Sequence, residues 1–205
     1  GCGAAMALSI AVKPVVAPVA LLVLAVWLRR GGKRSWRGIA AAGAAGTAVL
    51  AALYAPFALM PGGLERMFET VETFTQHWRF NASLHAVLES AGLTKAAVDA
   101  VSGGLLLAVL GVIAWRVHDV WKAAGAYLLA ALLLSSTVHP WYVLWPLALV
   151  PMSREAGAWV LAITVPLAHA AWLTPADLGV PGWLRVAEYA PVYAAVGWRV
   201  WGHFR

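Results

Sequence analysis

The sequence predicts an all-α protein, a polytopic transmembrane helical bundle of about seven spans with an amphipathic helical loop on its outer face. Three observations carry this expectation. Of 205 residues, 62% are hydrophobic and only 12% are charged, which is more apolar surface than a soluble core needs. The basic residues gather in short clusters between long apolar runs, as in loops retained on the inner side of a membrane. Twelve tryptophans supply many interfacial anchors, since an indole prefers the boundary where its ring is buried and its N–H stays wet.

The formal net charge is +6, but the cations share no polar face, so nothing points to nucleic acid as a partner. The lone Cys2 excludes an internal disulfide and a cysteine metal cluster. The chain opens Gly1-Cys2-Gly3 without Met, basic n-region or cleavage site. We therefore expect the C-terminal part of a longer protein, not a secretory leader. Residues 1–205 are expected to form a single transmembrane domain, with residues 60–100 as its outer helical loop.

The first expected span runs from Ala4 to Leu28, with Lys13-Pro14 near its middle. Arg29, Arg30, Lys33, Arg34 and Arg37 follow as an inner loop. The second span, Gly38 to Leu59, is rich in Ala and Gly, as close helix packing in a membrane prefers. From Met60 to Ala100 the character changes. Leu64, Met67, Phe68, Val71 and Phe74 recur at three and four residues, opposite Glu65, Glu69 and Glu72. That spacing predicts a surface helix, and Leu84, Val87 and Leu88 suggest a second short one. The third span covers Val98 to Val117, and Arg116, His118, Asp119 and Lys122 return the chain to the inner side.

Ala123 to Met152 contains no Lys, Arg, Asp or Glu. It is interrupted by Ser135-Ser136-Thr137-Val138-His139-Pro140-Trp141-Tyr142. Pro140 lacks a donor and pushes His139 out of the helical region. We read a tight outer turn between a fourth span, Ala123 to Val138, and a short fifth, Trp141 to Met152. A single kinked span is the alternative. The charges favour two: Arg116, Lys122, Arg154, Arg199 and Arg205 then join the first basic loop inside, and Arg66, Arg79, Lys95 and Arg185 lie outside. The sixth span is Ala156 to Thr174, followed by an outer loop Pro175 to Arg185 and a seventh span from Val186 to Trp201. The C-terminus is then cytoplasmic. No internal repeat is visible.

On this topology Trp78, Arg79, Asn81, His139, Trp141 and Tyr142 share the outer side. Lys13 is a cation within a span, costly unless it faces a polar cavity. Arg79 offers a forked contact to phosphate. His169 sits alone in an apolar span and is expected to be packed or hydrogen-bonded. The sequence holds no phosphate-binding glycine loop, no Gly-x-Ser-x-Gly elbow and no His-Glu-x-x-His.

An intramembrane Lys13-Pro14, a basic loop, then Trp78-Arg79-Phe80-Asn81-Ala82-Ser83-Leu84, then Thr137-Val138-His139-Pro140-Trp141-Tyr142-Val143-Leu144-Trp145 occur in this order. The order resembles the later half of polytopic GT-C glycosyltransferases, most closely the bacterial family-87 type that includes polyprenol-phosphate-mannose-dependent mannosyltransferases. The resemblance implies inverting transfer of a mannose-type hexose, on the outer face of the cell membrane, from a polyprenyl-phosphate donor to a glycan or lipid acceptor. It implies a catalytic carboxylate in an outer loop upstream of this chain, so the chain alone is expected to be inactive and no residue here is assigned as the base. Lys13, Arg79, His139, Trp141, Tyr142, Trp78 and Asn81 are the substrate-binding candidates. No cofactor is expected, with a divalent cation left open. A transporter or flippase of lipid-linked sugars is the alternative. It too would need intramembrane charge, but the inverted repeats common in such proteins are absent here.

Overall fold

The computed structural model describes residues 1–30, 35–173 and 180–202. Lys33 and Arg34 of the expected first inner loop, Asp177 of the expected last outer loop and the terminal Arg205 lie outside the described residues. The chain is helical and packs as two compact units, Gly1–Trp78 and Arg79–Arg205.

The N-terminal unit comprises α1 (Cys2–Val12), a 3-10 turn (Pro14–Val16), α2 (Ala17–Arg30), α3 (Ser35–Leu59) and α4 (Gly63–His77). The expected first span, Ala4 to Leu28, is not one helix. Lys13 is extended (φ −145°, ψ 97°), because Pro14 disfavours the helical region for the residue before it and has no N–H to continue the ladder. The chain then folds back. Cys2, Gly3 and Met6 line the same cavity of about 290 Å³ as Leu24 and Trp27, whereas a straight helix would separate Cys2 from Trp27 by roughly 37 Å. Small residues make the contact with α3. Gly3 lies against Ala42 and Gly46, and Ala7 also reaches Gly46, so the register rises together along α1 and α3. The acidic helix α4 forms as its periodicity predicts. Leu64, Phe68 and Val71 are exposed; the side chain of Phe74 lies outside the described residues.

The C-terminal unit comprises α5 (Leu84–Ser90), α6 (Lys95–Arg116), α7 (Val120–Leu133), a 3-10 turn (Pro140–Val143), α8 (Leu144–Ser153), α9 (Ala156–Thr164), a 3-10 segment (Val165–Leu173) and α10 (Gly182–Gly202). Thr94 caps α6 by accepting from the Ala97 N–H, and Asp119 caps α7 by accepting from Trp121 and Lys122. These side chains satisfy donors that a helix start leaves open. The stretch from Ala123 to Met152 is two helices, not one kinked helix. Gly125, near the start of α7, packs on Ser153, at the end of α8, so the pair is an antiparallel hairpin. Leu129, Leu132, Val143, Leu161, Val165, Tyr189 and Val192 join α7 to α10 in one apolar core. At the far end of α10, Arg199 pairs with the buried Glu155, and its guanidinium also donates to the Ser153 carbonyl.

Among the described residues two helices, Trp36–Leu59 and Lys95–Arg116, are long and apolar enough to cross a membrane. They match the second and third expected spans. The other expected spans are shorter or broken. α7 has 14 residues, α8 has 10 and α9 has 9, each less than the ~20 needed for ~30 Å of hydrocarbon. α10 has 21 residues, but Arg185, Glu188, Pro191 and Arg199 interrupt its apolar sequence.

Candidate functional site

The turn between α7 and α8 is built by short polar side chains. α7 stops at Leu133, and the Ser135 hydroxyl receives the Thr137 N–H and donates to the Thr137 carbonyl, at 3.1 and 2.9 Å. Such local bonds compete with a helix and favour a turn. Thr137 and Val138 run extended and pair with Phe80. The Phe80 N–H donates to the Ser136 carbonyl and the Val138 N–H donates to the Phe80 carbonyl. His139 keeps an extended backbone (φ −78°, ψ 146°) before Pro140, and its carbonyl accepts from the Tyr142 N–H. Two stretches that the sequence singled out separately therefore meet, through Phe80 on one side and residues 136–139 on the other.

Their rings stack. His139 lies between Phe80 and Trp141, with centroids 5.0 and 4.5 Å away and ring planes within 18° and 4°. Tyr142 meets the imidazole edge-on at 5.3 Å and stacks on Trp145 at 4.5 Å. Offset stacks of this kind hold rings at fixed separations. A cavity of about 140 Å³ opens beside them, lined by Phe80, His139, Pro140, Trp141 and His169. Trp141 is 56% exposed, so the stack has a wet face. His169 is neither packed nor buried. Its Nδ1 donates to the Pro166 carbonyl at 3.3 Å, so it is a hydrogen-bonded histidine, as expected.

Behind this face the segment 79–83 is fastened to α10. Asn81 is 1% exposed and left-handed (φ 50°), a conformation that Asn tolerates better than most residues. Its amide Nδ2 donates to Glu188 Oε1 at 2.7 Å, and its carbonyl accepts from the Tyr189 hydroxyl at 2.7 Å. Two residues on, the Ser83 and Tyr193 hydroxyls bond at 2.6 Å. Glu188 is fully buried.

The remaining candidates lie elsewhere. Arg79 is paired with Glu89 beside the stack and is not among the cavity's lining residues. Trp78 is half exposed. Lys13 is exposed at the hairpin turn of the N-terminal unit, not buried within a straight span. Next to Arg79, His85 is 4% exposed, with Asp99 at 3.9 Å. Burial holds its imidazole below the usual value, Asp99 pulls upward, and Arg79 adds to the depression.

Phe80, His169 and Glu188 were missed as site residues by sequence reasoning. Glu188 carried a readable signal, a lone acid in an apolar stretch, which is seldom without a role. Phe80 carried none beyond its place beside Arg79. The wet aromatic face with two imidazoles can hold the apolar side of a ring while offering polar contacts at its rim. Comparison of the chain with family models, curated proteins and solved structures found no match.

Proposed function

We propose that this chain is the later part of a multi-pass membrane glycosyltransferase that moves a mannose-type hexose from a polyprenyl-phosphate donor to a glycan or lipid acceptor outside the cell membrane. The observation that carries the reading is the stack Phe80–His139–Trp141 beside an open cavity. A sugar ring has apolar C–H faces and polar edges, and an exposed Trp141 stacked on one imidazole, with a second imidazole lining the cavity, suits both. In this reading α3 and α6 cross the membrane, and the α1–α2 hairpin enters from the Arg29 side and turns at Lys13. The helices after α6 cross as paired short segments that tilt little, with the bilayer thinned around them. His139 serves the phosphate end, where a fixed hydrogen-bond donor stabilises the charge that a leaving phosphate gathers. The carboxylate that takes the acceptor proton comes from upstream sequence.

One feature suits a transporter instead. The break at Lys13-Pro14 is the kind of interrupted helix that lines transport sites. The assay separates the two, since an enzyme leaves a new glycosidic bond on the acceptor and a flippase leaves the donor intact on the other side.

The test is sugar transfer in membranes carrying the longer protein. His139→Gln and Trp141→Ala should each slow transfer by about tenfold to a few hundredfold per folded molecule, the loss of one strong contact in the transition state. Wild-type turnover in both variants would remove the stack from the site. Topology is checked in a Cys2→Ala background with cysteines at the exposed positions Trp36 and Val87. An impermeant thiol reagent should label position 87 in intact cells and spare position 36.

A further inference from the structure

Two carboxylates are buried among the described residues, Glu155 and Glu188. Glu155 has its counter-ion in Arg199. Glu188 makes no ion pair among the described residues, although Arg185 lies one turn away with its own buried Nε unbonded. An ionised carboxylate held in apolar surroundings without a counter-ion is among the most costly arrangements a protein can contain.

The bonding around Glu188 offers a way out. Asn81 Nδ2 donates to Glu188 Oε1. The other oxygens of the same two groups, Asn81 Oδ1 and Glu188 Oε2, are both buried and both without a partner. Both are acceptors when the carboxyl is ionised, so neither can satisfy the other. A carboxylic acid and a primary amide each carry one donor and one acceptor along one edge. With the two edges set face to face, a single proton on Oε2 would turn two orphaned acceptors into one hydrogen bond and remove the buried charge.

We propose that Glu188 carries a proton, closes a cyclic acid–amide pair with Asn81, and by that proton fastens the segment bearing Phe80 to α10. The segment is held from its other side by the backbone bonds of Phe80 to Ser136 and Val138. The groups around Glu188 are Arg185 and Tyr189 on its own helix, the Tyr189 hydroxyl lying within reach of the Glu188 carboxyl as well as donating to the Asn81 carbonyl, and Asn81 on the facing segment, which does not titrate; His139 lies beyond Phe80. Raising the pH strips the proton, breaks one bond of the pair, sets Oε2 against Oδ1 and strands a charge in the core. The α10 side of the segment then loosens, and Phe80 leaves the face of His139. The device is a proton site whether or not the chain is an enzyme.

Infrared spectroscopy of the intact protein in bilayers tests the proton directly. The wild type at neutral pH should show the C=O band of a protonated carboxylic acid. That band should shift in heavy water, disappear on alkaline titration and be absent from Glu188→Gln. Absence of the band from the wild type overturns the proposal. The latch is tested with Ala82→Cys, at a buried position between Asn81 and Ser83, in the Cys2→Ala background. The Glu188→Gln variant has an amide at this position and keeps both bonds of the pair at every pH. Thiol labelling with and without Glu188→Gln should therefore match at neutral pH. In alkali it should become about tenfold faster with Glu188 intact than in Glu188→Gln, as expected of local opening. Equal rates at every pH overturn the latch. If Glu188→Gln fails to fold, Asn81→Ala supplies the second measurement, since the acid band must move in frequency when its amide partner is removed. A band indifferent to Asn81 overturns the pair.

Discussion

The two units are held together by different means. Gly1–Trp78 packs through small residues and backbone proximity, with Gly3, Ala7, Ala42 and Gly46 in contact and no buried polar side chain among its described residues. Arg79–Arg205 buries Asn81, Ser83, His85, Ser102, Thr137, Ser153, Glu155 and Glu188. The difference teaches where position is specified. Close apolar packing brings helices together but distinguishes poorly between nearby registers. A buried polar group has one satisfactory partner, and a register that misses it leaves a costly orphan. In the unit that places Phe80 against His139, Asn81 with Glu188, Ser83 with Tyr193 and Glu155 with Arg199 are such pairs.

Substitutions can break this contrast, and the largest effect belongs to the C-terminal unit. Arg199→Met leaves the Glu155 carboxylate buried without its partner. It should cost about 3 kcal/mol, read from unfolding in mild detergent by circular dichroism. Glu155→Gln in the same background should recover much of that loss.

Next comes a probe of the N-terminal unit. A side chain at Gly3 runs into the Ala42 carbonyl, which is backbone and cannot swing aside. Gly3→Val should cost about 2–3 kcal/mol, whereas Gly43→Ala, where a Cβ meets open space, should be neutral or slightly favourable. Equal effects at both glycines would refute small-residue packing as the basis of this unit.

Tyr193→Phe removes one hydroxyl from the Ser83 bond and should cost about 1 kcal/mol. The smallest effect is a pH slope. His85 binds its proton less readily folded than unfolded, chiefly because it is buried. Below about pH 6.5 the unfolded chain therefore takes up more protons than the folded one, and stability falls as pH drops from there toward the lowered folded value. His85→Gln should flatten that slope, and Asp99→Asn, which removes the opposing pull, should steepen it.

The local features of this fold were legible in the sequence. The amphipathic period of α4 and the apolar run of α6 gave those helices directly, and Pro140 after His139 gave the turn. Proline was a poorer guide elsewhere. Pro14 ends a helix, yet Pro56, Pro151 and Pro191 lie inside helices. Apolar composition runs unbroken through all of these places, so hydropathy read Ala4 to Leu28 as one span where the chain turns back. Half of the site was legible for a related reason. His139, Trp141 and Tyr142 are neighbours in sequence, and their odd composition marks them. The bonds of Asn81 to Glu188 and of Phe80 to Ser136 and Val138 join residues with no shared period, and no local pattern announces them.

Synthesis order gives the Asn81–Glu188 bond another meaning. The two residues are 107 positions apart. At about 5–20 residues per second, Asn81 waits roughly 5–20 s before its partner is made. During that interval α7, the turn and α8 can all fold, yet the strip carrying Phe80 has only one of its two anchorages. A product stopped before α10 would have its long apolar helices and still carry a strip held from one side only, its Asn81 amide without the Glu188 partner. Docking of α10 supplies the second anchorage, so the strip is fixed only once synthesis has passed Glu188.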